Sequence, residues 1–70
     1  MVTLKRLRMA KGINQKELAQ RLGISEIYVS KLERGETNPS DKLKKKLMEF
    51  YKVKDYNAFY TILENTKKLK

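Results

Sequence analysis

Apolar residues recur along this chain at three- and four-residue intervals, and glycines or short polar residues separate the runs. That period predicts helices throughout and no strand. In residues 3–11, Leu4 and Leu7 stand three apart and Ala10 follows; Thr3 is placed as the N-cap and Gly12 as the stop. Ile13 comes next and can tuck into the core. Residues 15–22 carry Leu18, Ala19 and Leu22 on one face, and residues 25–33 carry Val29 and Leu32 on one face. Between them lies the turn Gly23-Ile24. Ala19 is small where two helices must cross closely, Gly23 supplies the left-handed residue that the turn needs, and Ile24 can plug the corner.

The remaining signals are caps and stops. Asn14 opens the second helix, with Glu17 three residues on in a capping-box spacing: the Asn side chain accepts an early N–H and Glu17 reaches back. Ser25 caps the third helix and Arg34-Gly35 ends it. Residues 36–40 read as a loop. Two caps are open for the next helix: Asn38, with Pro39 at the first helical position, or Ser40. Residues 40–51 form a fourth helix whose core face is Leu43, Leu47, Phe50 and Tyr51; Lys44, Lys45 and Lys46 read as a solvated face. The last element falls within residues 53–70. Asp55 is its N-cap, Tyr56, Phe59, Tyr60, Ile62 and Leu63 follow at helical spacing, and Lys67, Lys68 and Lys70 make a basic end. The last four or five residues are expected to fray. The expectation is an all-α, five-helix chain forming one domain over residues 1–70, with no repeat, linker or separate ligand domain.

The two short helices around Gly23-Ile24 have the logic of a helix-turn-helix, a DNA-reading device. The run from Asn14-Gln15 through Glu17-Leu18-Ala19 and Gly23 to Leu32-Glu33-Arg34-Gly35 resembles the lambdoid phage repressor and Cro-like (XRE-type) helix-turn-helix family. The resemblance covers about residues 4–53. It implies a compact lambda-repressor-like fold with helices two and three as the helix-turn-helix. It also implies an ion pair. In that family an arginine at the place of Arg8 pairs with the glutamate that closes the recognition helix, here Glu33; alternatively Arg8 is a solvated charge or only a phosphate contact.

Composition narrows the function. The chain has 70 residues, and domains of ~60 residues do fold alone. There is no cysteine and no histidine, which removes disulfides, the usual zinc ligands and the commonest general base. With no glycine-rich phosphate loop and no paired carboxylates in a plausible cleft, an enzyme is rejected, and neither metal nor cofactor is expected. No apolar run approaches the ~20 residues of a membrane span, and Lys5, Arg6 and Arg8 interrupt any signal-peptide core. A cytoplasmic protein with no membrane role is expected. The net charge is +9, from 17 Lys and Arg against 8 Asp and Glu. Such a balance suits a polyanionic partner or simply a soluble surface; the helix-turn-helix favours nucleic acid.

The recognition helix offers Ser25, Glu26, Ile27, Tyr28, Ser30 and Lys31 to base edges in a major groove. Lys31 can donate to guanine, Ile27 can lie on a thymine methyl, and Glu26 can accept from cytosine. Ser25 and Ser30 can contact a base or a phosphate, and the Tyr28 hydroxyl can reach a phosphate. Glu26 departs from the family, where glutamine is common; alternatively it only favours the positive helix start. One of Ile27 and Tyr28 can instead enter the core. Asn14 and Gln15, at a helix N-terminus that suits an anion, are phosphate-contact candidates, as are Arg34, Thr37, Asn38 and Lys42. Gln15 can alternatively brace the start of the recognition helix. The leading expectation is a sequence-specific transcription regulator of double-stranded DNA, a repressor that binds a pseudo-palindrome as a homodimer. The alternative is a protein-interaction module on the same fold, an antitoxin or anti-repressor. The apolar content of the last helix either completes the core or forms the dimer or partner surface.

Overall fold

The computed structural model describes residues 1–68. They form α1 (Leu4–Ala10), α2 (Gln15–Leu22), α3 (Glu26–Glu33), α4 (Asp41–Tyr51) and α5 (Tyr56–Lys68), with no strand among the described residues. Each of the first four helices starts on a short polar side chain. Thr3 Oγ1 accepts the Arg6 N–H at 3.2 Å, Asn14 Oδ1 the Glu17 N–H at 2.8 Å, Ser25 Oγ the Tyr28 N–H at 3.0 Å and Ser40 Oγ the Leu43 N–H at 3.2 Å. Such a cap contributes ~1 kcal/mol, a large share of the stability of helices only seven or eight residues long. Asp55 accepts the Asn57 N–H at 2.9 Å at the start of α5.

Some local expectations change. Ser40 is the cap of α4, and Pro39 is buried before it, so the Asn38 alternative falls. Glu17 does not close the capping box; its carboxylate pairs with Arg21 one turn on, at 3.3 Å. The lysine run of α4 is not wholly solvated. Lys46 Nζ donates to the Leu22 carbonyl at 3.5 Å, at the end of α2, and Lys44 is half-buried. Helix α5 holds through Lys68 with Thr66 buried, so the expected fraying fails at residues 66–68. Leu69 and Lys70, the rest of that expectation, lie outside the described residues.

The core gathers Leu4, Leu18, Ala19, Leu22, Val29, Leu32, Leu43, Leu47, Phe59, Ile62 and Leu63. Val29 of α3 and Phe59 of α5 are the most deeply buried large side chains. Ile24 packs against the core from the turn. There Gly23, at φ 70°, ends α2, and the Ile24 N–H donates to the Ala19 carbonyl at 3.0 Å. The left-handed residue turns the chain so that Ile24 lands on the cluster.

Helix α5 does more than cover the core. Thr66 Oγ1 accepts the Leu4 N–H at 3.0 Å and donates to the Ile62 carbonyl at 2.8 Å. One of the orphan donors at the start of α1 is therefore satisfied from the far end of the chain. Asn65 Nδ2 donates to the Val2 carbonyl at 3.1 Å. On the other side, Gly35 ends α3 at φ 74° directly against the backbone of α5. A Cβ there would meet Lys67 Cα at 2.7 Å and the Thr66 carbonyl at 3.0 Å. The last turn of α5 thus touches both the start of α1 and the end of α3.

Candidate nucleic-acid interface

The orientation of α3 is set by a buried polar knot at its C-terminal end. Arg8 Nε donates to Glu33 Oε2 at 2.8 Å, and the two side chains are only 11% and 4% exposed. Arg8 Nη1 donates to the Ile13 carbonyl at 2.8 Å, and Gln15 Nε2 donates to Glu33 Oε1 at 3.0 Å. Both carboxylate oxygens are occupied, one from α1 and one from α2. Hydrogen bonds thus satisfy both members of a nearly buried ion pair, as the burial of charged groups requires. Tyr51 of α4 lies close enough to feel the same charges. Burial, with Glu33 adding, pushes its hydroxyl up to about 12, while Arg8 opposes the shift. That hydroxyl is buried with no hydrogen-bond partner among the described residues.

Gln15 therefore braces the end of α3, not its start. Its amide is half-buried and engaged, which leaves Asn14 as the more open of the two at the head of α2. Asn14 itself spends its carbonyl oxygen on the Glu17 N–H, so only its amide nitrogen remains to meet a phosphate.

Along α3, Glu26, Ile27 and Lys31 are exposed. Ile27 is 70% exposed, which puts the core alternative for this residue aside. Ile27 and Lys31 are four apart and share one face of the helix. Glu26, in the first turn of α3, makes no hydrogen bond or ion pair among the described residues, which leaves both a base contact and a simple first-turn role open. Tyr28 differs from the expectation of an exposed reader: it is half-buried and packs against the core. Its ring shares a shallow depression of about 160 Å³ with Gly23, Ile24, Ser40, Lys42 and Lys46. Ser30 is half-buried as well, and its hydroxyl accepts from Arg34 Nη1 at 2.7 Å. Ser25 is exposed but commits its oxygen to the cap.

The backbone-contact candidates flank this face. Arg34 is held by Ser30 and by Glu36, whose hydrogen bond and charge raise its already high pKa. Its Nε and Nη1 are engaged, which leaves Nη2 of this exposed side chain to meet a phosphate. Thr37 is half-buried, while Asn38 and Lys42 are exposed. Lys42 and Lys46 both border the depression beside the α2–α3 turn. Lys46 was not among the sequence candidates; its position one turn after Lys42 on α4 was the signal that could have found it. The described residues hold no cluster of acidic side chains that could bind a metal ion. No helix among them is long and apolar enough to cross a membrane.

This geometry can be set beside known proteins. A relative 51% identical over 35 residues is an uncharacterized HTH-type transcriptional regulator, y4dJ, from Sinorhizobium fredii (strain NBRC 101917 / NGR234). The match covers 50% of this chain and 46% of that protein, so the chain spans about half the length of its relative. No solved structure matches. The model of the helix-turn-helix family matches residues 4–55, the span of α1 through α4 with the start of the α5 cap. With the capped pair α2–α3 and its glycine turn inside that span, the chain belongs to the XRE-type helix-turn-helix DNA-binding family.

Proposed function

We propose that this chain is a sequence-specific regulator of transcription that represses by occupying a pseudo-palindromic operator as a homodimer. The observation that carries the reading is the outward face of α3. Ile27 and Lys31 stand exposed on one helical face, an apolar tip beside a cation, on a helix whose other end is pinned by Arg8 and Gln15. A rigid helix presenting both kinds of base contact suits major-groove reading. Lys42 and Lys46 beside the turn, with Asn14 and Asn38, supply the backbone contacts that give most of the affinity. The two half-sites would lie ~10 bp apart, and polymerase would be excluded sterically. A location in the cytoplasm follows from this role. The family is generally non-enzymatic, and no cofactor enters the proposal.

The test is selection of sites from a random duplex pool, then titration of the selected duplex at several salt concentrations. A two-fold-symmetric site that beats random DNA by at least ~10³-fold is expected. Ile27→Ala and Lys31→Ala should each relax one base position, and Lys42→Ala should lower the salt slope by ~1 per subunit. Failure to enrich any site would overturn the proposal. A second reading, an interaction protein on the same fold, is favoured by Tyr56 and Tyr60. They stand 56% and 55% exposed, one turn apart on α5. If Tyr56→Ser with Tyr60→Ser abolishes operator binding at low protein concentration only, these rings serve the homodimer. If it leaves DNA binding intact at every concentration, they serve another partner or none.

A further inference from the structure

We propose that the corner where α4 ends is a docking site for an acidic amphipathic segment of a partner protein. A shallow depression of about 500 Å³ opens there, lined by Lys45, Met48, Glu49, Lys52, Val53 and Lys54. Its floor is apolar. Met48 and Val53 are half-buried and rest on the core, and the Val53 N–H donates to the Met48 carbonyl at 2.9 Å. A methionine in such a floor adapts to differently shaped apolar side chains. Its rim is basic. Three lysines face one glutamate, and none of the three lysines makes an ion pair among the described residues. The net excess of two positive charges outweighs the roughly half-charge of opposite sign at the helix C-terminus.

Lys52 adds a separate argument. Among the described residues it is the one non-glycine in the left-handed region, at φ 56°. Gly12, Gly23 and Gly35 take the other positive-φ positions among those residues. Glycine would sit at the end of α4 without strain. The chain instead carries a strained lysine at the mouth of the depression, and strain of this kind gathers where a side chain has a task.

A segment with carboxylates on one side and large apolar side chains on the other matches both the rim and the floor. Nucleic acid matches the rim alone. Position favours the protein partner too. The eleven residues of α4 span ~16 Å, and its other end, Ser40 with Lys42, borders the α2–α3 turn. A partner at the far corner could be held while α3 occupies a groove. Docking at this corner does not require that α3 reads DNA, and the first arm of the test uses none.

The experiment is an amide-resolved NMR titration of the full chain with a short synthetic peptide in which leucine and phenylalanine alternate with aspartate and glutamate. Saturable shifts confined to Lys45, Met48, Glu49 and Lys52 to Lys54 are expected. The pair Lys45→Glu with Lys54→Glu, both at exposed positions and checked for an unchanged Tm, should weaken binding by ~10-fold or more. A control peptide with serine in place of leucine and phenylalanine should bind at least ~10-fold more weakly, since it forfeits the apolar floor. Equal binding of the serine control overturns the proposal, as does the absence of binding. So do shifts that fall on α2 and α3, where the peptide would merely imitate DNA. In a second arm, duplex DNA that shifts this corner and competes with the peptide would make it a nucleic-acid surface instead.

Discussion

Replacing Gly35 by alanine should harm this protein far more than the same change at Gly23. Both glycines have left-handed backbones, at φ 74° and 70°, so both alanines carry the same ~1–2 kcal/mol conformational cost. Both also gain the same small benefit from a stiffer unfolded chain. The surroundings differ. Nothing lies within 4 Å of a Cβ at Gly23. A Cβ at Gly35 would stand 2.7 Å from Lys67 Cα and 3.0 Å from the Thr66 carbonyl, both backbone atoms. Carbon atoms in contact sit ~3.5–4.0 Å apart, so the last turn of α5 must retreat by about 1 Å. That turn carries Thr66, which accepts the buried Leu4 N–H at 3.0 Å. Stretching this bond leaves a buried donor poorly satisfied, at ~1–3 kcal/mol. Gly23→Ala should therefore lose ~1–2 kcal/mol, and Gly35→Ala a further ~1–3 kcal/mol beyond that. A chain of this size has roughly 4–10 kcal/mol in total. Urea denaturation followed by far-ultraviolet circular dichroism, with m-values compared, measures both. Thr66→Val should cost less in the Gly35→Ala background than alone, because the two changes act on one contact. If Gly35→Ala falls within ~0.5 kcal/mol of Gly23→Ala, the spread of independent additive effects, then α5 does not close on α3 and the reasoning fails.

Glu33→Ala removes the partner of a nearly buried Arg8 and should cost ~3–5 kcal/mol, with Arg8→Ala similar; wild-type melting temperatures for both would dismiss the pairing. Tyr51→Phe deletes a buried hydroxyl that has no hydrogen-bond partner among the described residues, so stability by urea melt should hold or rise by ~1 kcal/mol. The same hydroxyl is pushed up to about 12 from its ordinary 10. The unfolded chain therefore loses that proton first, stability should fall as pH rises through this interval, and Tyr51→Phe should flatten the decline. Lys52→Gly relieves a left-handed lysine and should raise the melting temperature by ~4–8 °C per kcal/mol released, with ~1 kcal/mol expected.

The helices were legible because their signals are local. Thr3, Asn14, Ser25 and Ser40 cap where short polar residues precede apolar periodicity, and Gly23 and Gly35 stop where the chain must turn. What escaped the sequence depends on distances between elements. Gln15 could be placed on a helix start, but nothing in its spacing tells that its amide reaches Glu33 across the α2–α3 pair. Tyr28 has an exposed position in the pattern, yet the turn and the start of α4 leave room for its ring beside Ile24. Thr66 looked like part of a fraying end, and only the meeting of α1 and α5 makes it the acceptor for Leu4. Among the site residues, Ile27 and Lys31 stayed exposed because helical spacing alone fixes their face. Ser30 and Arg34 turned towards each other because four residues on a helix bring them within reach.

The family span ends at residue 55, but the buried core extends past it. Phe59 is 1% exposed, and Ile62 and Leu63 are 8% exposed. Truncating one buried Phe costs ~3–5 kcal/mol, and one buried Leu or Ile ~2–5 kcal/mol. Losing three such side chains costs ~7–15 kcal/mol, which matches or exceeds the roughly 4–10 kcal/mol that a chain of this length holds. A chain cut after Asp55 should accordingly be unfolded, with little helical signal and no cooperative melt, and it should bind DNA without specificity. Loss of operator binding by that fragment would then say nothing about dimerisation. The function of α5 has to be probed by changes on its outer face, at Tyr56 and Tyr60, which leave Phe59 and Thr66 in place. If the fragment instead melts cooperatively near the wild-type temperature, α5 is an accessory to a complete four-helix core. Its contacts with Leu4 and Gly35 would then be incidental to how α3 is held.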